Sequence, residues 1–250
     1  MTAAPPSSVD RESITPLLGP VGSVPSVFPY PIPRIQSFGM TSKRLLSMRR
    51  AVPDDAEALA RIDAESWPAP LATGVDAWRS RIERFPEGQI VALFDGELAA
   101  VATAQRINAE FFAAGPITYE RLTDGGTFRR SHDPQGEIYQ LVGVGAGAAL
   151  RGFGIGRRLI DRQIEQARTL PGIVRILGLT RPARYYRHPA MPIDDYVKLR
   201  NKTGRRSDPV LEFHLGSGAS LVSIHEGFRP DDSESRGYGV LIEYPVMKEG

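Results

Sequence analysis

The chain has no cysteine among its 250 residues. That removes disulfides, thiolate metal sites and a cysteine nucleophile together, and it fits a reducing compartment, so we expect a cytoplasmic protein. No apolar run approaches the ~20 residues that cross a bilayer, so no membrane partner is expected. Lysine is scarce, occurring only at Lys43, Lys198, Lys202 and Lys248. The positive charge is therefore almost all arginine, whose planar fork grips phosphate or carboxylate with two parallel hydrogen bonds. A net charge of +2 is too small to imply the dense basic patch that nucleic acid demands. His132, His188 and His225 show no ligand spacing, and no metal site is expected.

What is present divides the chain in two. Residues 1–43 are rich in proline and serine and show no apolar periodicity, which reads as a disordered arm. Residues 44–250 carry the patterns of one folded domain. The spacing predicts a strand at 45–51, a helix from Pro53 to Ser66 with apolar face Ala58, Leu59, Ile62 and Ala64, and a helix from Val75 to Phe85. Gln89 to Phe94 and Leu98 to Ile107 read as strands joined by a two-residue Asp95-Gly96 turn. Residues 108–136 give no clear pattern. A strand at 138–144, a helix at 154–168, a strand at 173–179, a short helix at 209–215 and strands at 221–225 and 240–244 complete the order. A mixed sheet with helices on its faces follows.

Between the 138–144 strand and the next helix stands Leu150-Arg151-Gly152-Phe153-Gly154-Ile155-Gly156-Arg157-Arg158. The first amides of a helix lack internal partners, and the helix dipole adds partial positive charge there. Glycines let an anion approach those amides closely, and the flanking arginines can pair with phosphate. A diphosphate is the natural ligand. A P-loop is excluded because no lysine follows the glycines. A dinucleotide fingerprint is matched only in degenerate form by Gly143-Val144-Gly145-Ala146-Gly147-Ala148, and Thr180-Arg181 stands where an acid should follow the next strand. A tight turn without a ligand is the remaining alternative.

The run Arg151-Gly152-Phe153-Gly154-Ile155-Gly156 resembles the acyl-CoA signature of the GCN5-related N-acetyltransferase (GNAT) superfamily, and the order of elements from about Arg44 to Val246 is similar to that fold. The resemblance implies an α/β (α+β mixed) architecture: a mostly antiparallel sheet with splayed central strands and helices on both faces. It implies that Arg151, Gly152, Phe153, Gly154, Ile155, Gly156 and Arg157 hold the CoA diphosphate, with Val144 and Ala146 beside the pantetheine arm. Acetyl-CoA or malonyl-CoA would be the cosubstrate, and no tightly bound cofactor is expected.

Trp67, Phe85-Pro86-Glu87-Gly88-Gln89, Gln105-Arg106-Ile107, Thr180, His214 and Arg229 further resemble the GNAT-like domains of polyketide synthase loading modules. By that resemblance Thr180 and His214 support decarboxylation of malonyl-CoA, and Arg229 supports transfer of acetyl to the thiol of an acyl carrier protein. The chemistry is coherent, because donors aimed at a thioester oxygen stabilise the enolate left by carbon dioxide. Two other functions stay open: acetylation of a small amine or peptide, and a non-catalytic module that binds acyl-CoA or a synthase. Each residue also has a plainer reading. His214 could be a core histidine on a backbone carbonyl, Thr180 a cap for the segment after it, and Arg229 a surface turn residue.

Overall fold

A computed structural model describes residues 46–148 and 152–246; the arm at 1–43 and Arg151 lie outside the described residues. Seven strands form one sheet in the order β1-β2-β3-β4-β5-β7-β6. They are β1 Leu46–Arg50, β2 Gln89–Phe94, β3 Glu97–Ile107, β4 Ile138–Ala146, β5 Arg175–Thr180, β6 Ser220–His225 and β7 Gly239–Tyr244. Only the central pair β4–β5 is parallel; every other pairing is antiparallel.

Alternation along the strands splits the core into two faces. Val91 of β2 and Val101 of β3 pack under helices α1 (Ala56–Ser66) and α2 (Val75–Arg84). Their neighbours Ile90, Ala92, Ala100 and Ala102 pack instead against Ile155 and Leu159 of helix α5 (Ile155–Thr169). The stretch without a sequence pattern, 108–136, holds two five-residue helices, α3 Ala109–Ala113 and α4 Tyr119–Thr123, capped by the side chains of Asn108 and Thr118. They cover the first face where Ile107, Ile138, Leu177 and Leu241 emerge. Five residues are too few to display a helical period, which is why these elements left no trace in the sequence. The four-residue α6 (Ile193–Tyr196) escaped for the same reason.

The first helix differs from the spacing at its start and along its buried face. It opens with a 3-10 turn at Pro53–Asp55. Its buried stripe is Ala56, Leu59, Ile62 and Asp63, while Ala64 faces solvent. Asp63 belongs inside because its carboxylate accepts the amide of Thr73 at 2.6 Å and so holds the loop after α1. Helix α5 buries Leu159, Ile160, Ile164 and Ala167.

The sheet opens at its centre. β4 and β5 pair from Ile138↔Arg175 to Leu141↔Gly178 and no further. At that point the β3–β4 register shifts, with Thr103 opposite Gly143 and Ala104 opposite Leu141, leaving Val142 as an extra residue. Such a bulge bends its strand and increases the local twist. The buried side-chain amide of Gln89 secures it, donating to the carbonyls of Ala104 (2.9 Å) and Phe85 (3.0 Å) and accepting from the Thr103 hydroxyl (2.6 Å). Gln105 is likewise satisfied, donating to Gln140 and to the Leu122 carbonyl and accepting from Ser131. The motifs around Phe85–Gln89 and Gln105–Ile107 thus contribute scaffold.

Candidate active site

The splay creates a cavity of about 320 Å3 between the diverging ends of β4 and β5. One wall is β4 from Leu141 through Val144 to Ala146, beyond the end of its pairing with β5. The other is the end of β5, closing at Thr180, with helix α7 (Pro209–Leu215) across it. Val144 and Ala146 both line the cavity.

At one end the cavity reaches the start of α5, where Gly156 lines it. Gly154 is the N-cap with φ +75, and Gly152 has φ +86, both in the left-handed region that glycine enters without steric cost. A Cβ at either position would meet no protein atom within 4 Å, so the approach to the first-turn amides is open. Arg158 makes the first intrahelical bond, to the Gly154 carbonyl at 3.2 Å, leaving the amides of Ile155, Gly156 and Arg157 without helical partners. Ile155 is buried and anchors the turn, whereas Gly152, Phe153 and Gly154 are exposed. The Arg157 side chain is engaged elsewhere. It pairs with Asp161 at 3.0 Å and donates to the Gly216 carbonyl at 3.1 Å, tying the start of α5 to the end of α7.

At the other end three expected residues converge: Thr180, His214 and Arg229 all line the cavity. Thr180 is only 5% exposed, and its hydroxyl oxygen has no hydrogen-bond partner among the described residues. It caps nothing. Such a group is costly to bury unless something in the cavity bonds to it. Among the described residues His214 bonds no carbonyl through its side chain; its Nδ1 lies 2.9 Å from the Tyr244 hydroxyl. Burial pushes its imidazole down to about 4, so the ring is neutral at physiological pH. Its position is set by Asp208, the buried N-cap of α7. One carboxylate oxygen accepts from the amides of Val210 and Leu211, and the other accepts from the Tyr196 hydroxyl and the Arg184 amide. The Asp208-Pro209 pair is the sequence signal for that cap.

Arg229 is a part-buried cation, not a surface turn residue. Its guanidinium lies 3.8 Å from the Tyr119 ring centroid and 5.9 Å from that of Trp67, and donates to the Leu71 carbonyl at 3.0 Å. No carboxylate pairs with it within 4 Å among the described residues. Burial lowers its pKa below the ordinary guanidinium value. By contrast Arg181 is fully neutralised, bonding Asp232 at 2.6 Å and Glu234 at 2.7 Å. That pair clamps the β6–β7 connection onto the end of β5 and so delivers Arg229 to the cavity. Beyond it, Tyr119, Phe228 and Arg229 form a wall shared with a second recess of about 340 Å3.

Tyr119 and Phe228 also line the cavity, and Tyr244 stands behind His214 in the core; none of the three was anticipated from sequence. Tyr119 sits in the unassigned stretch, and Tyr244 reads as an ordinary core residue of a strand. Phe228 was signalled only by its neighbour Arg229.

Comparison with known proteins agrees with this geometry. Residues 56–188 match the model of the acetyltransferase (GNAT) family. A Bacillus subtilis relative described as the uncharacterized N-acetyltransferase YkwB is 30% identical over 209 residues, spanning 80% of this chain and 88% of the relative. The GNAT-like decarboxylase GphF in complex with isobutyryl-CoA superposes with a TM-score of 0.71 at 33% identity, covering 80% of this chain and 100% of that one. The loading GNATL domain of CurA from Lyngbya majuscula shares the fold, with a TM-score of 0.72 at 23% identity over 81% of this chain and 98% of that one. With its bulged fourth strand, splayed centre and glycine-led helix, the chain belongs to the GNAT acetyltransferase family and has the fold of an acyl-CoA-dependent acyltransferase.

Proposed function

We propose that the protein removes carbon dioxide from malonyl-CoA and passes the resulting acetyl group to the phosphopantetheine thiol of an acyl carrier protein. The observation that carries this reading is the buried, unpartnered hydroxyl of Thr180, a residue in the wall of a cavity shared with His214 and Arg229 and lined by no Asp or Glu among the described residues.

The CoA diphosphate sits on the amides of Ile155, Gly156 and Arg157, and the pantetheine arm follows the splayed edge of β4 past Ala146 and Val144. This brings the malonyl thioester to Thr180 and His214. The bond between the carboxylate and the methylene carbon breaks, its electron pair becomes an enolate, and carbon dioxide leaves. Donors from Thr180 and His214 hold the developing oxyanion in a largely apolar cavity, where each such contact is worth roughly 3 kcal/mol. Protonation of the enolate carbon yields acetyl-CoA. The acceptor thiol then attacks the acetyl carbonyl as a thiolate, and CoA leaves as its thiolate and takes up a proton. Arg229 supplies the positive charge that favours the acceptor's thiolate over its thiol. No enzyme nucleophile is needed.

The same observation weighs against amine acetylation. That reaction needs a base to deprotonate an ammonium. The cavity offers no carboxylate, the His214 imidazole is a weak base, and Arg229 repels a cation.

The test is incubation of the full chain with malonyl-CoA or acetyl-CoA, with and without holo carrier protein, following carbon dioxide and intact mass. Carbon dioxide release with gain of one acetyl on the carrier is expected. Acetyl-CoA consumption only when amines are added would establish the amine reading instead. Tight CoA binding without turnover would leave a binding module.

A further inference from the structure

Tyr244 ends β7 under helix α7, and its ring is 1% exposed. Its surroundings are apolar: Ile176, Leu211 and Ile242 belong to the same core cluster. Among the described residues, the only hydrogen bond of its hydroxyl is the 2.9 Å contact with His214 Nδ1, and that is also the only one of the imidazole.

That contact can be made in two ways. If Nδ1 carries the proton and donates to the phenol oxygen, the phenol's own hydrogen is left buried without an acceptor, which is costly. If the phenol donates to an unprotonated Nδ1, both groups are satisfied and the imidazole proton resides on Nε2. Burial also raises the Tyr244 pKa, keeping the hydroxyl a donor. The second arrangement leaves His214 with an N–H on the ring nitrogen turned away from Tyr244, beside the cavity that His214 lines.

We infer that Tyr244 is a positioning residue that fixes His214 as its Nε2–H tautomer, so that the imidazole enters the cavity as a hydrogen-bond donor to the thioester oxygen and not as a base. The inference rests on the role proposed above for His214. It gives the phenol a purpose that packing alone does not require, since phenylalanine would fill the same volume.

Long-range proton–nitrogen correlation spectra of the 15N-labelled full chain test it directly. The sequence holds four histidines, and a His214→Gln variant assigns the signal. An unprotonated Nδ1 and a protonated Nε2 are expected in the wild type, with the preference lost in Tyr244→Phe. The same variant should lose at least about tenfold in kcat for carbon dioxide release with KM within about twofold, as expected when a transition-state contact is removed. An Nδ1–H wild type, or a Tyr244→Phe enzyme with unchanged tautomer and kcat, overturns the inference. Because the wild-type spectrum alone decides the tautomer, a misfolded variant does not shield it. If His214→Gln releases carbon dioxide normally, the role of His214 fails, whatever the tautomer proves to be.

Discussion

The two ends of the cavity are built from different materials. At the start of α5 the groups proposed to meet the ligand are backbone amides carried by one contiguous run, Gly152 to Arg157, exposed at Gly152, Phe153 and Gly154 and anchored by buried Ile155. At the far end they are side chains brought from separate elements: Thr180 from β5, His214 from α7, Arg229 from the β6–β7 connection and Tyr119 from α4. The first end is general, since backbone amides at a helix start favour a diphosphate whatever acyl group it carries. The second is particular, since on the proposed function its donors and its cation select the reaction. Substitutions should therefore separate binding from chemistry according to the end they touch.

The largest expected effect lies at the far end. Thr180→Val keeps the shape of a buried residue and removes only a hydroxyl that has no protein partner. Folding should be unharmed, because no internal hydrogen bond is lost. Decarboxylation should fall roughly a hundredfold, the usual consequence of removing one oxyanion donor. Affinity for CoA, measured by calorimetry, should stay within about twofold, since uniform binding is untouched. Normal carbon dioxide release from Thr180→Val would detach the hydroxyl from the mechanism and reduce the contrast between the ends to one of location.

The same contrast explains what the sequence disclosed. The glycine loop was legible because its residues are consecutive and its amides need only glycine and a helix start. Thr180, His214 and Arg229 carry no local signature; resemblance supplied them, and only the fold brings them together. The long strands and α5 were legible because their periods are regular and their buried stripes apolar. What stayed hidden was short or conditional. The five-residue helices bearing Phe112 and Tyr119 cannot show a period, and Asp63 turns inward only because Thr73 offers it an amide. The bulge at Val142 lies where the Gln89 side chain meets Ala104 across the sheet. No pattern within either segment announces it.

An intermediate effect is expected at the glycine end. Gly154→Val places a β-branched residue at φ +75, a conformation costing L-residues about 1–2 kcal/mol, and points its side chain into the open space proposed for the diphosphate. CoA should bind roughly tenfold more weakly, equivalent to about 1.4 kcal/mol, with kcat at saturation little changed. Gly154→Asn separates the two causes, because asparagine tolerates this backbone while still crowding the ligand. Wild-type thermal stability with weakened CoA binding is the expected pattern for that variant. Unaltered affinity in both would move the diphosphate away from this loop.

The smallest expected effect concerns pH, and its smallness is what makes it informative. A solvent-exposed histidine with a pKa near 6.5 would be about 90% protonated at pH 5.5. The His214 imidazole, pushed down to about 4 by burial, remains neutral there. If its neutral form donates to the thioester oxygen, kcat for decarboxylation should change little between pH 7.5 and 5.5 and decline only as pH approaches 4. Stability follows the same sign. The unfolded state binds a proton at this position near pH 6.5 and the folded state does not, so the His214 contribution is full above that value and is lost as pH falls toward 4. His132 and His225, also lowered by burial, add to the loss of stability in this direction. The activity of folded enzyme, checked by circular dichroism at each pH, should therefore outlast what an ordinary histidine allows. A tenfold fall in kcat centred near pH 6.5, with the fold intact, would mean that the imidazole acts as a base exposed to solvent. The side-chain end of the cavity would then be as open as the glycine end.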